Sequence, residues 1–283
     1  MANTLRFAVH HSRLAVVYED RLIDVESTGG PHADPAAALD NWDRTLAWLK
    51  SAGLGSGIPL DVGTLDRPVA RSGQVFGIGL NYRAHAEENN RPVPSEPLVF
   101  TKFPSCMAGP ADRLHLVDGF CDFEAELVVV IGRAGRDITC EDAMSHVAGF
   151  TIGQDISERQ RQMRGGTPQF SLAKSHKGFG PIGPYLTPLD QIPRPNDLAI
   201  GCSINGEVMQ ASRTSDLIFD VPTLVHELSA ICELRPGDLI FTGTPLGVGI
   251  ARDPARPLMP GDVIETTIEG LGTLRTVCAD LTD

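Results

Sequence analysis

Glu124 and Glu126 stand one residue apart in Cys121-Asp122-Phe123-Glu124-Ala125-Glu126 and lead straight into Leu127-Val128-Val129-Val130-Ile131. That apolar run predicts a buried strand, on which side chains at i and i+2 share a face, so both carboxylates point the same way. Two like charges about 5 Å apart repel by roughly 3 kcal/mol even at an effective dielectric near 20. A hard divalent cation answers that repulsion, because Mg²⁺, Mn²⁺ and Ca²⁺ prefer oxygen ligands. The spacing alone fits a solvated or arginine-paired acidic pair equally well.

A third carboxylate is available in Asp155, which ends the apolar stretch Gly149-Phe150-Thr151-Ile152-Gly153-Gln154 and opens a polar loop. Ligands held on a rigid strand end beside a loop are open to substrate, although a turn-capping aspartate reads the same way. His85 and Glu88, three apart where a strand breaks into a short helix, share a helical face, so the carboxylate can orient the imidazole for proton transfer. Such a pair is also common on ordinary surfaces. Beyond Asp155 come Arg159, Arg161, Gln162, Arg164 and Lys174, a density of donors that suits an anionic ligand such as a carboxylate or enolate. Thr242-Gly243-Thr244-Pro245-Leu246-Gly247-Val248-Gly249 lets backbone approach a ligand but lacks the phosphate-binding G-x-x-x-x-G-K-[ST] pattern, so no nucleotide is expected.

The elements that must carry these residues are mostly short strands. Three apolar pieces in the first 25 residues predict an antiparallel meander; Asp34, Pro35, Leu39, Trp42, Leu46 and Leu49 predict a helix that stops near Gly53. The segment 53–71, with its glycines and prolines, reads as a linker. After it, strands are expected around Val75–Gly79, Leu98–Lys102, Ala148–Gly153, Leu239–Thr242 and Val263–Glu269, with an Asn205-Gly206 hairpin and one helix over Pro222–Cys232 capped by Asp220. There is no regular β/α alternation, so the fold class is α+β and β-rich.

At 283 residues and 42% apolar content the chain can bury a large core. A net charge of −12 disfavours nucleic acid and anionic membrane as partners, and no run of 18 apolar residues suggests a membrane span. The six cysteines form no C-x-x-C pair, which argues against a zinc cluster; without a secretion-like N-terminus they are expected reduced, and the protein cytoplasmic.

Taken in order, Gly79-Leu80-Asn81-Tyr82 with the following histidine, Asp122-Phe123-Glu124-Ala125-Glu126-Leu127, Lys174-Ser175, Gly180-Pro181-Ile182-Gly183-Pro184, Thr214-Ser215-Asp216 and Pro236-Gly237-Asp238-Leu239-Ile240-Phe241-Thr242-Gly243-Thr244-Pro245 resemble the fumarylacetoacetate hydrolase family, from about Val75 to Val277. The resemblance implies a mixed β-roll catalytic domain over residues 71–283, a small N-terminal β/α domain plus linker over 1–70, and a homodimer. It implies that Glu124, Glu126 and Asp155 bind Mg²⁺, Mn²⁺ or Ca²⁺, and that His85 and Glu88 activate water. By the same resemblance Lys174 is catalytic, while Lys102, Arg159, Gln162 and Thr244 contact a small keto-acid substrate. One departure is Gln154-Asp155-Ile156-Ser157-Glu158-Arg159-Gln160 where relatives carry N-D-V-S-A-R-D, which puts the extra charge of Glu158 beside the substrate arginine.

The activity expected first is hydrolysis of a carbon–carbon bond in a β-diketo acid such as an acylpyruvate. Oxaloacetate decarboxylation or isomerisation of a 2-hydroxy-diene dioate, by the same metal–enolate chemistry, is the alternative. A non-catalytic scaffold around a structural ion is a third possibility.

Overall fold

The computed structural model describes residues 4–88 and 92–281. The apolar run after the two glutamates becomes the strand Ala125–Ile131, buried along its whole length. Alternate residues feed two cores: Leu127, Val129 and Ile131 pack with Phe123, Phe150 and Ile240, while Val128 and Val130 pack with Ile182 and Phe241. Complete burial makes each of these side chains worth roughly 1.5–3 kcal/mol. The strand that carries the glutamates is therefore pinned from both faces.

It pairs antiparallel with Val147–Gln154 on one side and Leu239–Phe241 on the other. The sheet runs on through Gly180–Pro188 to the N-terminal meander, and through Val75–Gly79 to the edge strand Leu98–Thr101; among the described residues it contains twelve strands. Val75–Gly79 lies parallel to Leu239–Phe241, so the sheet is mixed. A second sheet of five strands, ordered Glu207–Arg213, Ala199–Ile204, Val263–Ile268, Gly272–Ala279 and Arg113–His115, supplies Ile200, Ile204, Ile264 and Leu274 to the core shared with Leu127 and Val129. The α+β, β-rich architecture is thus present.

The meander is Arg6–His10, Arg13–Tyr18 and Arg21–Asp24, joined to Gly180–Pro188 through Phe7 opposite Leu186. Segment 53–71 contributes two short strands, Ile58–Pro59 and Leu65–Asp66, which pair with Arg21–Asp24 and Arg6–His10. Two-residue strands leave no periodicity to read. The expected helix after Asp34 is two helices, Pro35–Asp40 and Trp42–Ser51. Asn41 separates them: its φ of −123° leaves the helical region while its side-chain amide donates to the Ala37 carbonyl at 2.9 Å, the local competition that makes asparagine a poor helix-interior residue. The helix Val221–Ile231 begins where Asp220 accepts the Thr223 N–H at 3.0 Å. Asn205 and Gly206, both at positive φ, make the hairpin turn between Ala199–Ile204 and Glu207–Arg213.

Candidate metal centre and active site

Glu124, Glu126 and Asp155 converge: one carboxylate oxygen from each lies within 4.8 Å of the others, all three side chains buried. The convergence follows from strand pairing. Glu126 is opposite Gly153 in the ladder, and the Asp155 N–H donates to the Glu124 carbonyl at 2.9 Å. Regular pairing lapses at residues 123–124, and two buried glutamines take over there. Gln154 accepts the Glu124 N–H and Gln210 accepts the Ala125 N–H, each at 2.9 Å.

Three cations face this cluster. Lys174 Nζ donates to Glu124 at 2.8 Å, to Asp155 at 2.7 Å and to Ser157 at 2.7 Å. Lys102 Nζ donates to Asp155 at 2.7 Å and to the carbonyls of Lys174 and Phe179. Arg159 reaches Asp122 through Nε at 2.8 Å, Glu124 through Nη2 at 2.6 Å and Gln162 through Nη1 at 3.0 Å. Four carboxylates, counting Asp122, therefore meet three cations. Glu126 is the one without a cationic side chain among the described residues; it accepts only the Gly243 N–H, at 2.8 Å.

The proton affinities follow that distribution. Burial pushes the Glu124 carboxyl up, but Lys174 and Arg159, with His85, more than reverse it and hold the group at about 2. Glu126 is driven well above the usual carboxylate range by burial and by the charges of Asp155 and Glu124. Burial works against the charged form of Lys174 too, yet Asp155 and Glu124 outweigh it and raise its pKa. An uncompensated buried carboxylate beside two others is the setting that a hard divalent cation neutralises. The donor set fits such an ion.

His85 and Glu88 lie on the short helix Arg83–Glu88, with His85 Nδ1 2.9 Å from Glu88 Oε2. The second Glu88 oxygen accepts the Gly247 N–H at 2.9 Å, which ties the pair to the glycine-rich loop. Gly243 in that loop adopts φ +103°, and a Cβ there would stand 2.7 Å from the Asn81 Cβ, so the close approach to Glu126 needs glycine. Thr244 is buried with its hydroxyl donating to the Ala125 carbonyl and accepting from Gln210, both at 2.9 Å. Its hydroxyl holds the loop against the glutamate strand. Arg161 and Arg164 lie on the exposed side of the turn, away from the cluster.

Sequence reasoning assigned no role to Asp122, Gln154 or Gln210. Asp122 is fully buried and accepts from Arg159, Gly249 and Ile250 as well as its own neighbour Phe123. A charged residue two before Glu124 in an otherwise apolar approach was a signal. The partners of the glutamines, 30 and 85 residues away in the chain, left none.

The fold and the buried carboxylate cluster point to an enzyme family. The family profile described as fumarylacetoacetate (FAA) hydrolase C-terminal matches residues 74–279, and the chain belongs to the fumarylacetoacetate hydrolase family. Among curated relatives, a mitochondrial oxaloacetate tautomerase FAHD2A of Bos taurus is 43% identical over 241 residues, covering 83% of this chain and 76% of the relative. A crystal structure from Mycobacterium smegmatis, provisionally named an HpcE protein, superposes with a TM-score of 0.92 at 45% identity over 98% of this chain and 99% of that one. The maleylpyruvate hydrolase of Sphingobium sp. SYK-6, crystallised with manganese(II) and pyruvate, gives a TM-score of 0.79 at 27% identity over 97% and 99%. The expected cytoplasmic placement does not stand: the Bos taurus relative and its Homo sapiens counterpart are both mitochondrial proteins. The composition of Met1-Ala2-Asn3-Thr4-Leu5-Arg6 was too weak a ground for it.

Proposed function

We propose that this chain is a divalent-cation-dependent enzyme of keto–enol chemistry, acting on a small keto diacid, with tautomerisation of oxaloacetate as the reaction to test first. The observation that carries the proposal is the His85–Glu88 pair, anchored to Gly247 and placed where it acts electrostatically on Glu124 in the carboxylate cluster. The oxaloacetate tautomerase name of a relative 43% identical supports this choice over hydrolysis.

Glu124, Glu126 and Asp155 would hold the ion, Mg²⁺ or Mn²⁺ by their all-oxygen chemistry. When bound, it supplies Lewis-acid polarisation of a keto acid and a template for its carboxylate and oxo oxygens. His85, through Nε2, takes a proton from the carbon between the keto and distal carboxylate groups, and the imidazolium or solvent returns one to the keto oxygen to give the enol; the reverse direction runs the same two transfers backwards. Glu88, on Nδ1, fixes the tautomer and stabilises the imidazolium. Arg159 has five N–H groups and commits one each to Asp122, Glu124 and Gln162, which leaves the outer part of the fork for a substrate carboxylate. Lys174, kept charged, lends positive charge to the site where the enolate oxygen develops, its three ammonium hydrogens being engaged by Glu124, Asp155 and Ser157. Lys102 contributes through Asp155, which it orients.

Hydrolysis of an acylpyruvate is the second reading, favoured by the maleylpyruvate hydrolase similarity and by the same pair acting on water. Following enol-oxaloacetate by its ultraviolet absorbance with Mg²⁺ and with Mn²⁺, beside product analysis on oxaloacetate and acylpyruvates, separates the two. Cleavage of an acylpyruvate with no acceleration of oxaloacetate interconversion would reject the proposal. So would full tautomerase activity in His85→Ala.

A further inference from the structure

We infer that Glu158 is a positioning residue that sets Arg159 for substrate, an inference that rests on reading Arg159 as a substrate contact. From sequence, Glu158 was an extra negative charge beside that arginine. Its carboxylate instead faces backbone. One oxygen accepts the N–H of Phe120 at 3.0 Å and of Gln160 at 2.9 Å; the other accepts the N–H of Arg161 at 2.6 Å. The residue is only 5% exposed, and these three donors face its charge.

The contacts bracket Arg159 on both sides. Arg159–Gln162 is a single helical turn, too short to persist on its own hydrogen bonds, and Glu158 takes two of its orphan N–H groups. Through Phe120 the same carboxylate grips the segment that pairs with it, Cys121 opposite Glu158 and Asp122 opposite Ser157. The Arg159 N–H completes the clasp by donating to the Phe120 carbonyl at 2.9 Å. Asp122, which holds the guanidinium, and Arg159, which it holds, are thus fixed to one another through backbone by Glu158. Gln162, the acceptor for Arg159 Nη1, rides on the same turn.

Gly119 carries the complementary adaptation. It adopts φ +118°, and a Cβ there would stand 2.3 Å from Glu158 Oε1. The turn before Phe120 lacks a side chain where the carboxylate enters. Alanine at 158, as in the motif this chain departs from, offers no acceptor to any of the three N–H groups.

The test compares Glu158→Ala, Glu158→Gln, Glu158→Asp and Arg159→Lys with the wild type, all loaded with Mn²⁺, by KM and kcat on oxaloacetate, by pyruvate titration and by Mn²⁺ affinity. In Glu158→Ala, KM and the pyruvate Kd rise about tenfold, in line with the loss of a helix cap, while kcat changes little and Mn²⁺ affinity holds. Glu158→Gln, whose amide oxygen still accepts N–H groups, recovers much of the loss. Glu158→Asp caps the turn but is one methylene too short for Phe120, and stays impaired.

Unchanged KM and pyruvate Kd in folded Glu158→Ala, with Arg159→Lys impaired, would overturn the inference alone. So would Glu158→Gln and Glu158→Ala losing Mn²⁺ affinity and kcat together with KM, which marks a general structural role. Indifference of Arg159→Lys removes the substrate reading of Arg159 and the inference with it. If oxaloacetate is not turned over but the pyruvate pattern holds, the proposed reaction falls and the role of Glu158 stands.

Discussion

Lys102 Nζ stands 2.7 Å from Asp155 Oδ1, and both side chains are wholly withdrawn from solvent. The remaining ammonium hydrogens go to the carbonyls of Lys174 and Phe179, so the lysine is committed to holding one corner of the carboxylate cluster. Removing one member of a buried pair costs about 3–5 kcal/mol when the other charge is left uncompensated; Asp155 keeps Lys174 at 2.7 Å, which puts the loss of Lys102 at the low end, about 3 kcal/mol. Lys102→Met is therefore expected to lower the unfolding free energy by about that amount in EDTA, and adding Asp155→Asn to restore part of it. Urea denaturation of the two variants checks this. A Lys102→Met protein as stable as wild type would show that the pair contributes nothing.

Glu126 and Glu124 make opposite pH dependences in the ion-free protein. Glu126 has its folded pKa raised above the ordinary 4.5, so its contribution is complete below 4.5 and is lost as pH climbs through the raised value. Glu124, held at about 2, contributes above 4.5 and loses that contribution as pH falls from 4.5 towards 2. A divalent cation competes with the proton on Glu126, so its stabilising effect grows with pH. Melting temperatures with EDTA and with Mg²⁺ should diverge as pH rises from 5 to 8. In Glu126→Gln the curves should coincide, with the EDTA curve no lower than that of the wild type. A Mg²⁺ shift that survives Glu126→Gln would remove this carboxylate from the ligand set.

Asp122→Asn should act on substrate through Arg159. The carboxylate accepts Nε of Arg159 while also accepting the Gly249 and Ile250 N–H groups, so it joins the arginine to the glycine-rich loop. Hydrogen bonds to charged groups are worth about 1.5–3 kcal/mol, which corresponds to roughly 10- to 100-fold in kcat/KM. The loss is expected mainly in KM. Steady-state kinetics on oxaloacetate decide it, and a loss confined to kcat would contradict the positioning role.

What was legible in the sequence is what short-range pattern encodes. The strand after Glu126 announced itself by five consecutive apolar residues, the hairpin by Asn205-Gly206, and the helix Val221–Ile231 by Asp220 with Leu224 and Leu228. The pairing of His85 with Glu88 is a three-residue relation and was equally visible. Asp155 could be proposed as a third acid because it ends a strand, but its place beside Glu124 depends on the register of Ala125–Ile131 against Val147–Gln154. The supports of the site were not legible. Gln210 reaches Ala125 from the second sheet, and Lys102 reaches Asp155 across 53 residues, so their roles exist only once the chain has closed. Glu158 was visible only as a charge beside Arg159, because the part of its setting that ties it to the Asp122 segment, the Phe120 N–H, lies 38 residues away in the chain.

Gly247 supplies the last test, because it couples the glycine-rich loop to the His85–Glu88 pair. Its N–H donates to Glu88, its carbonyl accepts from Arg252 Nε at 3.3 Å, and its φ is +100°. A Cβ at this position would stand 2.3 Å from the Met209 carbonyl oxygen, a rigid backbone atom, so the loop must shift to admit one. Gly247→Ala then withdraws the donor that fixes the Glu88 carboxylate, while leaving Glu88, His85 and the three metal-ligand candidates chemically intact. General acid–base catalysis by a positioned group is worth about 10²–10⁴-fold, the loss expected for His85→Ala. Gly247→Ala should lose a smaller part of this, in kcat rather than in Mn²⁺ affinity. Adding Gly247→Ala to Glu88→Gln should cost little more than Glu88→Gln alone, because the loop acts on catalysis through that carboxylate. Kinetics on the single and double variants measure the coupling, and strictly additive losses would separate the loop from the pair.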